Sequence, residues 1–590
     1  MILGHEVDRG NGHVREGRVA SVKLLALIAG LSLVAVTCSG DDDDGAGAGD
    51  ERGASGSQPA EPAVEGAQGG EIVDLSAFAG DPPEHIDPRL NTSVAGWQVG
   101  GSLYDGLTDI DYSDPENPEV RGVVAESWGP KDDATEWTFR IRDELFFSDG
   151  TPVLPSSFVR GWETATDPDF AGDYAYLYTF IKGGAEKLIG EADTISGVEA
   201  DDRAMTLTVT LSAPLSTFPS LVGFAAFMPM PKAIEELDDQ ADWENQVMVG
   251  NGPFVLEGPR TDREIVLVPN DRWDGTKYDE EWGLPEQPFL DRITFRASGG
   301  LDVAYTAFEA GEADITSFLA GRYQEAQDNY ATSIDTPAQG AYYFWFNDRD
   351  ERVGGQENRL LRQAISQAID RQTINAAVYE GSRVAATGIT PPAILGAAEG
   401  LCEYCSYDPE AAEADYQEWL DAGNELAEPL PIQFDTGAGH ENVVAIIVEN
   451  LNEIGIPAEA QGIDSETYFD QRTEGACVIC RANWIADYPT YDHFMYDLFH
   501  TESLDGNNYG YSNPEFDELI DEAKATTDEA ERAELFRAAE QILLNEDVGV
   551  IPINWYRGTL VYDGDRIAHI NERPDLHVEW ETVSLQEGAA

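Results

Sequence analysis

Two hydrophobic spacings recur along the chain, one typical of strands and one typical of helices. Apolar Trp137, Phe139 and Ile141 alternate with polar residues, which predicts a strand with one buried face. The same alternation predicts a second strand at Met205, Leu207, Val209 and Leu211. From residue 71 onward such segments alternate with helical ones without a long low-complexity break, so we expect a mixed α/β fold of closely packed domains.

Helical spacing is clearest in three later segments. Apolar residues three and four positions apart predict one helix over 361–379, with Gly381 placed to end it. Asp408 and Pro409 are typical of the N-cap and the first residue of a further helix. The stretch 515–545 is predicted to form one long helix.

The start of the chain has the pattern of an export signal. Basic Arg15, Arg18 and Lys23 precede an apolar run over 24–36, which is too short to span a bilayer. Cys38 follows directly and resembles the cysteine of the bacterial lipobox, which is lipidated and becomes the mature N-terminus. We therefore expect 1–38 to be a signal peptide and the protein to be lipid-anchored on the outer face of the cell membrane or in the periplasm. An ordinary cleaved signal is the alternative.

Residues 39–70 contain almost no large apolar side chains and are rich in Gly, Ala, Ser and acidic residues. Such a segment cannot offset the entropy of ordering, so we expect a flexible tether with a reach of roughly 30 Å. The run Asp41 to Asp44 is interpreted as a solvating segment rather than a calcium site, because consecutive acids lack the interleaved spacing of an ordered cage.

Charge excludes one class of partner. The 590 residues include 111 acidic and only 36 basic ones, for a formal net charge of −75. This excess repels phosphate backbones, so nucleic-acid binding is excluded. We interpret it instead as an adaptation to a salty environment, in which screening relieves the self-repulsion.

Four cysteines form two C-x-x-C units, Cys402 with Cys405 and Cys477 with Cys480. This spacing suits disulfides, a four-thiolate zinc site or a redox pair. Disulfides are favoured because an exported chain folds in an oxidising compartment. Zinc at the four cysteines stays open as the lesser alternative, and no other cofactor is predicted.

No enzyme motif stands out. The sequence contains no H-E-x-x-H, no G-x-S-x-G between a strand and a helix, and no phosphate-cradling Gly-rich motif with Lys. His440, His493 and His500 are too dispersed to indicate a metal site and are interpreted as core or surface residues. We therefore expect a binding protein rather than an enzyme, with an exported hydrolase as the rival class.

Four motifs occur in order in the first half of the chain, PPEHIDP (82–88), LYDGL (103–107), AESW (125–128) and FSDGTP (147–152). This series resembles the entry segments of the oligopeptide- and dipeptide-binding family of ABC-importer solute-binding proteins, the family 5 extracellular solute-binding lipoproteins. Further matches follow in the same order at GNGPF (250–254), NDRW (270–273), GEADI (311–315), RQAI (362–365), AIDR (368–371) and ANWIADYP (482–489). The resemblance thus extends over most of the mature chain.

The resemblance implies an α/β, two-lobed fold like that of periplasmic binding proteins, in the type II, large three-subdomain variant, with two crossing hinge strands. Lobe 1 would comprise 71–342, with an extra subdomain at about 115–240, and a C-terminal return over 552–590. Lobe 2 would comprise 343–551. The implied function is the capture of peptides by a monomer and their delivery to the permease of an ABC transporter.

The resemblance also implies which residues bind. A peptide's amine is a cation that loses water in a closed cleft, and Asp487 lies where the family places the partner carboxylate. Trp484 would form an apolar wall, Asn483 and Ile485 would pair with an extended peptide through their backbone, and Tyr104 would line the cleft from the other lobe. The alternatives are a turn cap for Asp487 and core packing for Trp484 and Tyr104.

Two further points depend on the resemblance. No Arg can be assigned to the carboxylate of a peptide, and nickel, haem or an oligosaccharide remains possible as a different ligand of the same fold. If disulfides joined the two C-x-x-C units, they would brace the segment of lobe 2 that carries Trp484 and Asp487.

We predict that the melting temperature rises between low salt and about 1 M salt, because screening then acts over about 3 Å and relieves the repulsion among carboxylates. Thermal unfolding followed by circular dichroism at the two salt concentrations measures this. A melting temperature that stays constant or falls would contradict the interpretation of the charge.

Overall fold

The computed structural model describes residues 67–589, except 79, 81, 115–117, 132–133, 171, 238–239, 246–247, 279–281, 438 and 504–508. The predicted signal peptide, Cys38 and residues 39–66 of the predicted tether lie outside the described residues. Within the described part of the chain, no helix is long and apolar enough to cross a membrane.

The strands are distributed over the whole described chain. In the first half they are β1 Glu71–Asp74, β2 Thr108–Asp111, β3 Glu119–Gly122, β4 Ala125–Pro130, β5 Glu136–Ile141, β6 Val198–Asp201, β7 Thr206–Thr210, β8 Phe254–Leu256, β9 Glu264–Pro269 and β10 Arg292–Arg296. In the second half they are β11 Ile315–Ser317, β12 Ala331–Thr332, β13 Pro337–Phe346, β14 Val384–Ala385, β15 Leu430–Asp435, β16 Ala458–Ile463, β17 Ile479–Ile485, β18 Val550–Arg557, β19 Leu560–Tyr562, β20 Ile567–His569 and β21 Ser584–Leu585.

The α-helices cover the sheets and connect their strands. They are α1 Val94–Leu103, α2 Pro155–Ala165, α3 Gly184–Leu188, α4 Phe218–Leu221, α5 Leu301–Glu309, α6 Tyr323–Asn329, α7 Arg359–Ala368, α8 Arg371–Tyr379, α9 Pro409–Asp421, α10 His440–Glu453, α11 Ser465–Thr473, α12 Asp492–Phe499, α13 Pro514–Ala525 and α14 Glu529–Gln541.

Among the described residues, three larger sheets and two two-stranded sheets, β2-β3 and β20-β21, organise these elements, which confirms the mixed α/β class. A seven-stranded sheet has the order β12-β19-β11-β1-β10-β9-β8, and a six-stranded sheet has the order β14-β18-β13-β17-β15-β16. A four-stranded antiparallel sheet, β4-β5-β7-β6, is built from the segment between β3 and β8. The seven-stranded and four-stranded sheets each pack against a cluster of buried apolar side chains, and the six-stranded sheet has one such cluster on each face.

The seven-stranded sheet joins segments from the two ends of the described part of the chain. Its strands β1 and β19 both pair with β11, from opposite sides. Ala67 bridges to Leu585, and the amide of Gly69 donates to the carbonyl of Phe289. The end of the predicted tether, from Ala67 to Gly70, is therefore hydrogen-bonded to the folded body, because backbone groups of the last strand and of the β10 approach are available to it.

The chain passes between the seven-stranded and six-stranded sheets twice, and the two passages lie side by side. The first passage joins β12 to β13 and the second joins β18 to β19. The amide of Gly558 donates to the carbonyl of Thr336, and that of Ser333 donates to the carbonyl of Leu560. Glu572 is buried beside them and accepts the amide N–H of Thr559, and burial raises its pKa to about 7.

The two strands predicted from alternation are confirmed, and the structure places them next to each other. Strand β5 pairs antiparallel with β7, so that Trp137 lies opposite Val209 and Phe139 lies opposite Leu207, all buried in one cluster. Met205 lies outside β7, because its backbone adopts a positive φ of 54° in the turn that precedes the strand.

The helix predicted at Asp408 is confirmed as α9, whereas the two longer predicted helices are each interrupted. The segment 361–379 breaks after α7, because the Asp370 side chain accepts the amide N–H of Thr373 and caps α8. The segment 515–545 breaks after α13 in the same way, because Asp528 accepts the amide N–H of Glu531 and begins α14.

Arg362 links two loops next to the six-stranded sheet through hydrogen bonds to their carbonyls. Its side chain is only 3% exposed. Nη1 donates to the carbonyls of Val353 and Gly355, both at 2.7 Å, and Nη2 donates to that of Asp547 at 2.6 Å. Nε is directed at the carbonyls of Asp547 and Val548. The planar guanidinium thus ties the loop before α7 to the turn that leads into β18.

We predict that Arg362→Lys lowers the free energy of unfolding by about 3 kcal/mol, because an ammonium cannot satisfy the same carbonyls and several stay buried without a donor. Urea unfolding measures the change. The matched control is Arg359→Lys, one turn earlier and partly exposed, for which we expect a loss of less than about 1 kcal/mol. Equal losses for the two variants would contradict this role.

Candidate functional site

The end of β17 presents backbone that is paired on one side only. Asn483, Trp484 and Ile485 pair with Tyr342, Ala341 and Gly340 of β13. On the other side, the parallel ladder with β15 joins only Ile479 and Cys480 to that strand. Among the described residues, the last part of β17 therefore has an edge that an extended chain can join by backbone hydrogen bonds.

Side chains at this end of the sheet divide between its two faces. Trp484 lies on the same face as Ala341 and Trp555, since all three occupy one row across β17, β13 and β18. Trp484 is half-buried against the cluster on this face, and its Nε1 has no partner among the described residues. Asn483 and Ile485 alternate with it and belong to the opposite face.

Asp487 follows two residues after β17. The last ladder bond of this segment runs from the amide of Ala486 to the carbonyl of Gln339. Beyond it, Oδ1 of Asp487 accepts a hydrogen bond of 2.7 Å from the hydroxyl of Tyr174, and its carboxylate stays 30% exposed. Tyr174 belongs to the region of the four-stranded sheet, so Asp487 lies where two parts of the molecule meet.

His493, on α12, contacts Asp487, and its side chain is 1% exposed. The amide N–H of Asp487 is directed at Nε2 at 3.1 Å, and Nδ1 lies 2.7 Å from Oδ2 of Asp497. The imidazole stacks on Tyr488 with ring centroids 4.2 Å apart and lies 5.0 Å from the ring of Trp484. One buried histidine therefore contacts the loop and the strand of the predicted site.

Tyr488 extends this contact toward the four-stranded sheet. It is 4% exposed and belongs to that sheet's apolar cluster, where its ring lies 6.3 Å from that of Phe224. A second contact nearby joins the same region to α13, since the amide of Ser216 donates to the carbonyl of Lys524. The loop after β17 is thus held between two parts of the molecule.

Arg481 is a buried cation to which the sequence analysis assigned no role, and it lies on the same face of β17 as Asn483. Nη1 of Arg481 is 3.2 Å from Oδ1 of Asp435, while its Nε has no partner among the described residues. His440 lies beside it, at the start of α10. A hydrogen bond of 3.1 Å joins its Nδ1 to the hydroxyl of Tyr342. Burial and the cations of Arg481 and Arg383 lower the pKa of His440 to about 3.

The signal for Arg481 was an arginine between apolar Cys480 and Ala482 in a strand segment. Alternation places it with Asn483 on one face. His440 carried no comparable signal, because its role depends on the contact between α10 and the sheet. The expectation that His440, His493 and His500 are core or surface residues is borne out, since all three are buried. No group of three or more potential metal ligands occurs among the residues described.

Tyr104 lies away from these residues. It is 1% exposed and packs in the cluster of the seven-stranded sheet, whereas Trp484 packs in the cluster of the six-stranded one. Its hydroxyl donates to the carbonyl of Val249 and accepts from Nε1 of Trp243 at 2.9 Å. Burial raises its pKa. With both hydroxyl functions occupied inside the core, Tyr104 does not belong to this candidate site.

The four cysteines pair within their own units. The sulfurs of Cys402 and Cys405 are at disulfide distance, and so are those of Cys477 and Cys480. The two C-x-x-C units are therefore not cross-linked to each other, and the bracing of lobe 2 that such cross-links would have given is absent. Cys480 lies on β17 opposite Trp345, so the second pair instead closes a short loop at the start of the strand that carries Trp484.

We predict that reduction under denaturing conditions raises the intact mass by about 4 Da, two hydrogens for each disulfide. Mass spectrometry before and after reduction, together with metal analysis, checks this. Stoichiometric zinc without a mass change would contradict the pairing. Alkylation before reduction serves as the control, because paired cysteines do not react.

Comparison with known proteins shows which family this chain belongs to. The family described as bacterial extracellular solute-binding proteins, family 5, middle, matches residues 119–506. The periplasmic murein peptide-binding protein MppA of Escherichia coli is 29% identical over 488 residues, covering 81% of this chain and 86% of that protein. The oligopeptide-binding protein OppA of Bacillus subtilis is 28% identical over 499 residues, covering 82% and 87% of the two chains.

A solved structure of MppA in its unliganded open form superposes with a TM-score of 0.74 at 26% identity, covering 89% of this chain and 99% of that chain. This likeness confirms the two-lobed fold expected from the sequence. Since the family matches more than half of the chain, this protein belongs to the family 5 bacterial extracellular solute-binding proteins.

Proposed function

We propose that this protein captures peptides at the free end of β17 and delivers them to the permease of an ABC importer. The observation that carries the proposal is the juxtaposition of a strand edge with a partly exposed carboxylate, Asp487, two residues beyond it. An edge reads the backbone of an extended peptide, and a carboxylate pairs with its terminal amine.

The groups at the two ends of this segment suit a zwitterion. Asp487 offers a carboxylate beyond the end of β17, and Arg481 lies six residues earlier, buried on the face of Asn483 with Nε unpaired. A guanidinium with a donor to spare is suited to the terminal carboxylate of a peptide or to an acidic side chain. Trp484 supplies an apolar wall on the other face.

Names of relatives support the ligand class. MppA is described as a murein peptide-binding protein and OppA as an oligopeptide-binding protein. We infer peptide binding by this chain as well, because Asp487 lies next to the free edge of β17. We include Asn483 and Ile485 as backbone partners and Trp484 as the wall, without a cofactor and without an enzymatic activity.

The proposal extends to location and architecture. We propose export through the signal at 1–38, lipidation at Cys38 and action as a monomer on the outer face of the cell membrane. We propose that lobe 1 comprises 71–342 and 552–590, with the extra subdomain at about 115–240, and that lobe 2 comprises 343–551. The adjacent passages near Thr336 and Gly558 support this division, because hinge closure needs few connecting strands.

We predict that short peptides raise the melting temperature of the full chain, and that Asp487→Ala weakens their binding by about 2–5 kcal/mol because the buried ammonium loses its partner. Thermal shift with alanine peptides from dialanine to pentaalanine and with a mixed peptide pool identifies ligands, and calorimetry measures affinity. Asp470→Ala is the control, since it removes the same charge from the exposed surface of α11.

The outcomes separate the ligand classes. A shift with peptides that disappears in Asp487→Ala and persists in Asp470→Ala is the expected result. A shift only with oligosaccharides, haem or nickel would overturn peptide capture in favour of a different ligand. Unchanged peptide affinity in Asp487→Ala would overturn the assignment of the amine to this carboxylate.

A further inference from the structure

Asp487 is the first residue beyond β17 whose backbone amide donates to a side chain rather than to the sheet. The preceding amide, that of Ala486, still donates to the carbonyl of Gln339 on β13. The amide of Asp487 donates to Nε2 of His493 at 3.1 Å. A backbone amide that water reaches poorly needs an acceptor from the protein. His493 therefore supplies the acceptor at the point where the sheet no longer does.

The contacts of the imidazole assign its proton to Nδ1. Because Nε2 accepts the amide N–H of Asp487, Nε2 carries no proton itself. Nδ1 lies 2.7 Å from Oδ2 of Asp497, a distance at which Nδ1–H donates to the carboxylate. A carboxylate on one ring nitrogen fixes the tautomer and leaves the other nitrogen as an acceptor. Asp497 thus determines that Nε2 is free to hold the amide.

The charges around the ring act in both directions. Burial lowers the pKa of His493, whereas the carboxylates of Asp487 and Asp497 outweigh burial and raise it to about 9. The amide of Asp487 opposes a second proton, because an N–H at Nε2 would point at the amide hydrogen, and Oδ2 of Asp487, at 3.6 Å, is too far away to accept it. His493 is also the second residue of α12, where the helix dipole disfavours a cation. The positions of the hydrogen-bond partners are therefore those of the neutral ring.

The same ring contacts two further residues of the candidate site. It stacks on Tyr488 with ring centroids 4.2 Å apart and lies 5.0 Å from the ring of Trp484. Water has little access to Nε2, because the side chain of His493 is 1% exposed. A ring that is held by packing on these neighbours and by Asp497 fixes the backbone at Asp487, and with it the direction of a carboxylate that is 30% exposed.

We propose that His493 is a positioning residue for peptide capture, whose unprotonated Nε2 holds the Asp487 amide so that the carboxylate is directed at the amine of the peptide. Asp497 serves this role by fixing the tautomer of the ring. The inference rests on the proposed function, because it requires an amine at Asp487. The buried ring does not contact the peptide itself. Its contribution is to order the loop before the peptide arrives, which removes part of the ordering cost from the binding step.

Two variants of His493 form a matched pair. His493→Gln and His493→Leu both remove the ring and its stacking, and only glutamine brings an oxygen that can accept the Asp487 amide. We expect His493→Gln to bind alanine peptides within about tenfold of the wild-type affinity, and His493→Leu to bind about 10- to 100-fold more weakly than His493→Gln, because the amide is left without an acceptor. Calorimetry with the full chain and dialanine to pentaalanine measures these affinities. Thermal unfolding without peptide checks that both variants fold.

The nitrogen NMR spectrum of the ring tests the tautomer directly. In the full chain with isotope-labelled histidine at about pH 7, the signals of His493 are those missing from His493→Gln. We expect a protonated Nδ1 and an unprotonated Nε2. Asp497→Ala, at a side chain 31% exposed, should keep the fold, change the tautomer and weaken peptide binding. Asp470→Ala, which removes a carboxylate from the exposed surface of α11, is the control and should change neither.

The results separate the positioning role from the proposed function. Equal peptide affinities in His493→Gln and His493→Leu, or a ring protonated at both nitrogens, would overturn the role of His493 and leave peptide capture intact. If His493→Leu does not fold, the spectrum of the ring and the affinity of Asp497→Ala decide the question. An unchanged tautomer and affinity in Asp497→Ala would overturn the role of that carboxylate. Absence of binding by the wild-type protein with every alanine peptide and with the mixed pool would contradict the proposed function itself.

Discussion

Strand β13 is the element on which the rest of the structure depends, because it is paired along both edges. On one side it holds β18, the strand by which the chain returns toward the seven-stranded sheet, and on the other it holds β17, which carries the candidate site. Register along β13 therefore fixes two things at once. It aligns the two passages between sheets and sets which residues of β17 project beyond the end of β15.

Alternation along β17 then separates two kinds of chemistry over a few residues. Trp484 and Ala482 face the cluster that contains Trp345 and Phe499, while Arg481 and Asn483 face the opposite side. A guanidinium in this position needs compensation, which Asp435 supplies in part. Because one strand separates the apolar wall from the charged groups, neither has to be built from a flexible loop.

Much of the architecture could be predicted from the sequence, and the exceptions share a physical cause. The strands around Trp137 and Leu207 follow from period-two alternation that no tertiary contact overrides. The helices over 361–379 and 515–545 look continuous by apolar spacing, yet Asp370 and Asp528 cap new helices, which depends on local backbone geometry. Arg481 and His493 needed the structure, because their partners Asp435 and Asp497 meet them only through packing and helix placement. Tyr104 belonged to a recurring motif, and motif position does not distinguish a cleft residue from a core one.

The seven-stranded sheet has a consequence for how the chain acquires its shape. Strands β1 and β19 are separated by nearly the whole described chain and are joined only through β11, which pairs with both. Contacts of such sequence separation form late, since the entropy of closing so large a loop must be overcome first. A chain emerging from its N-terminus can therefore assemble the four-stranded sheet long before β19 completes the seven-stranded one. A chain truncated at the C-terminus before β19 would have a seven-stranded sheet with an unpaired edge at β11. Incomplete chains could associate with one another at this edge.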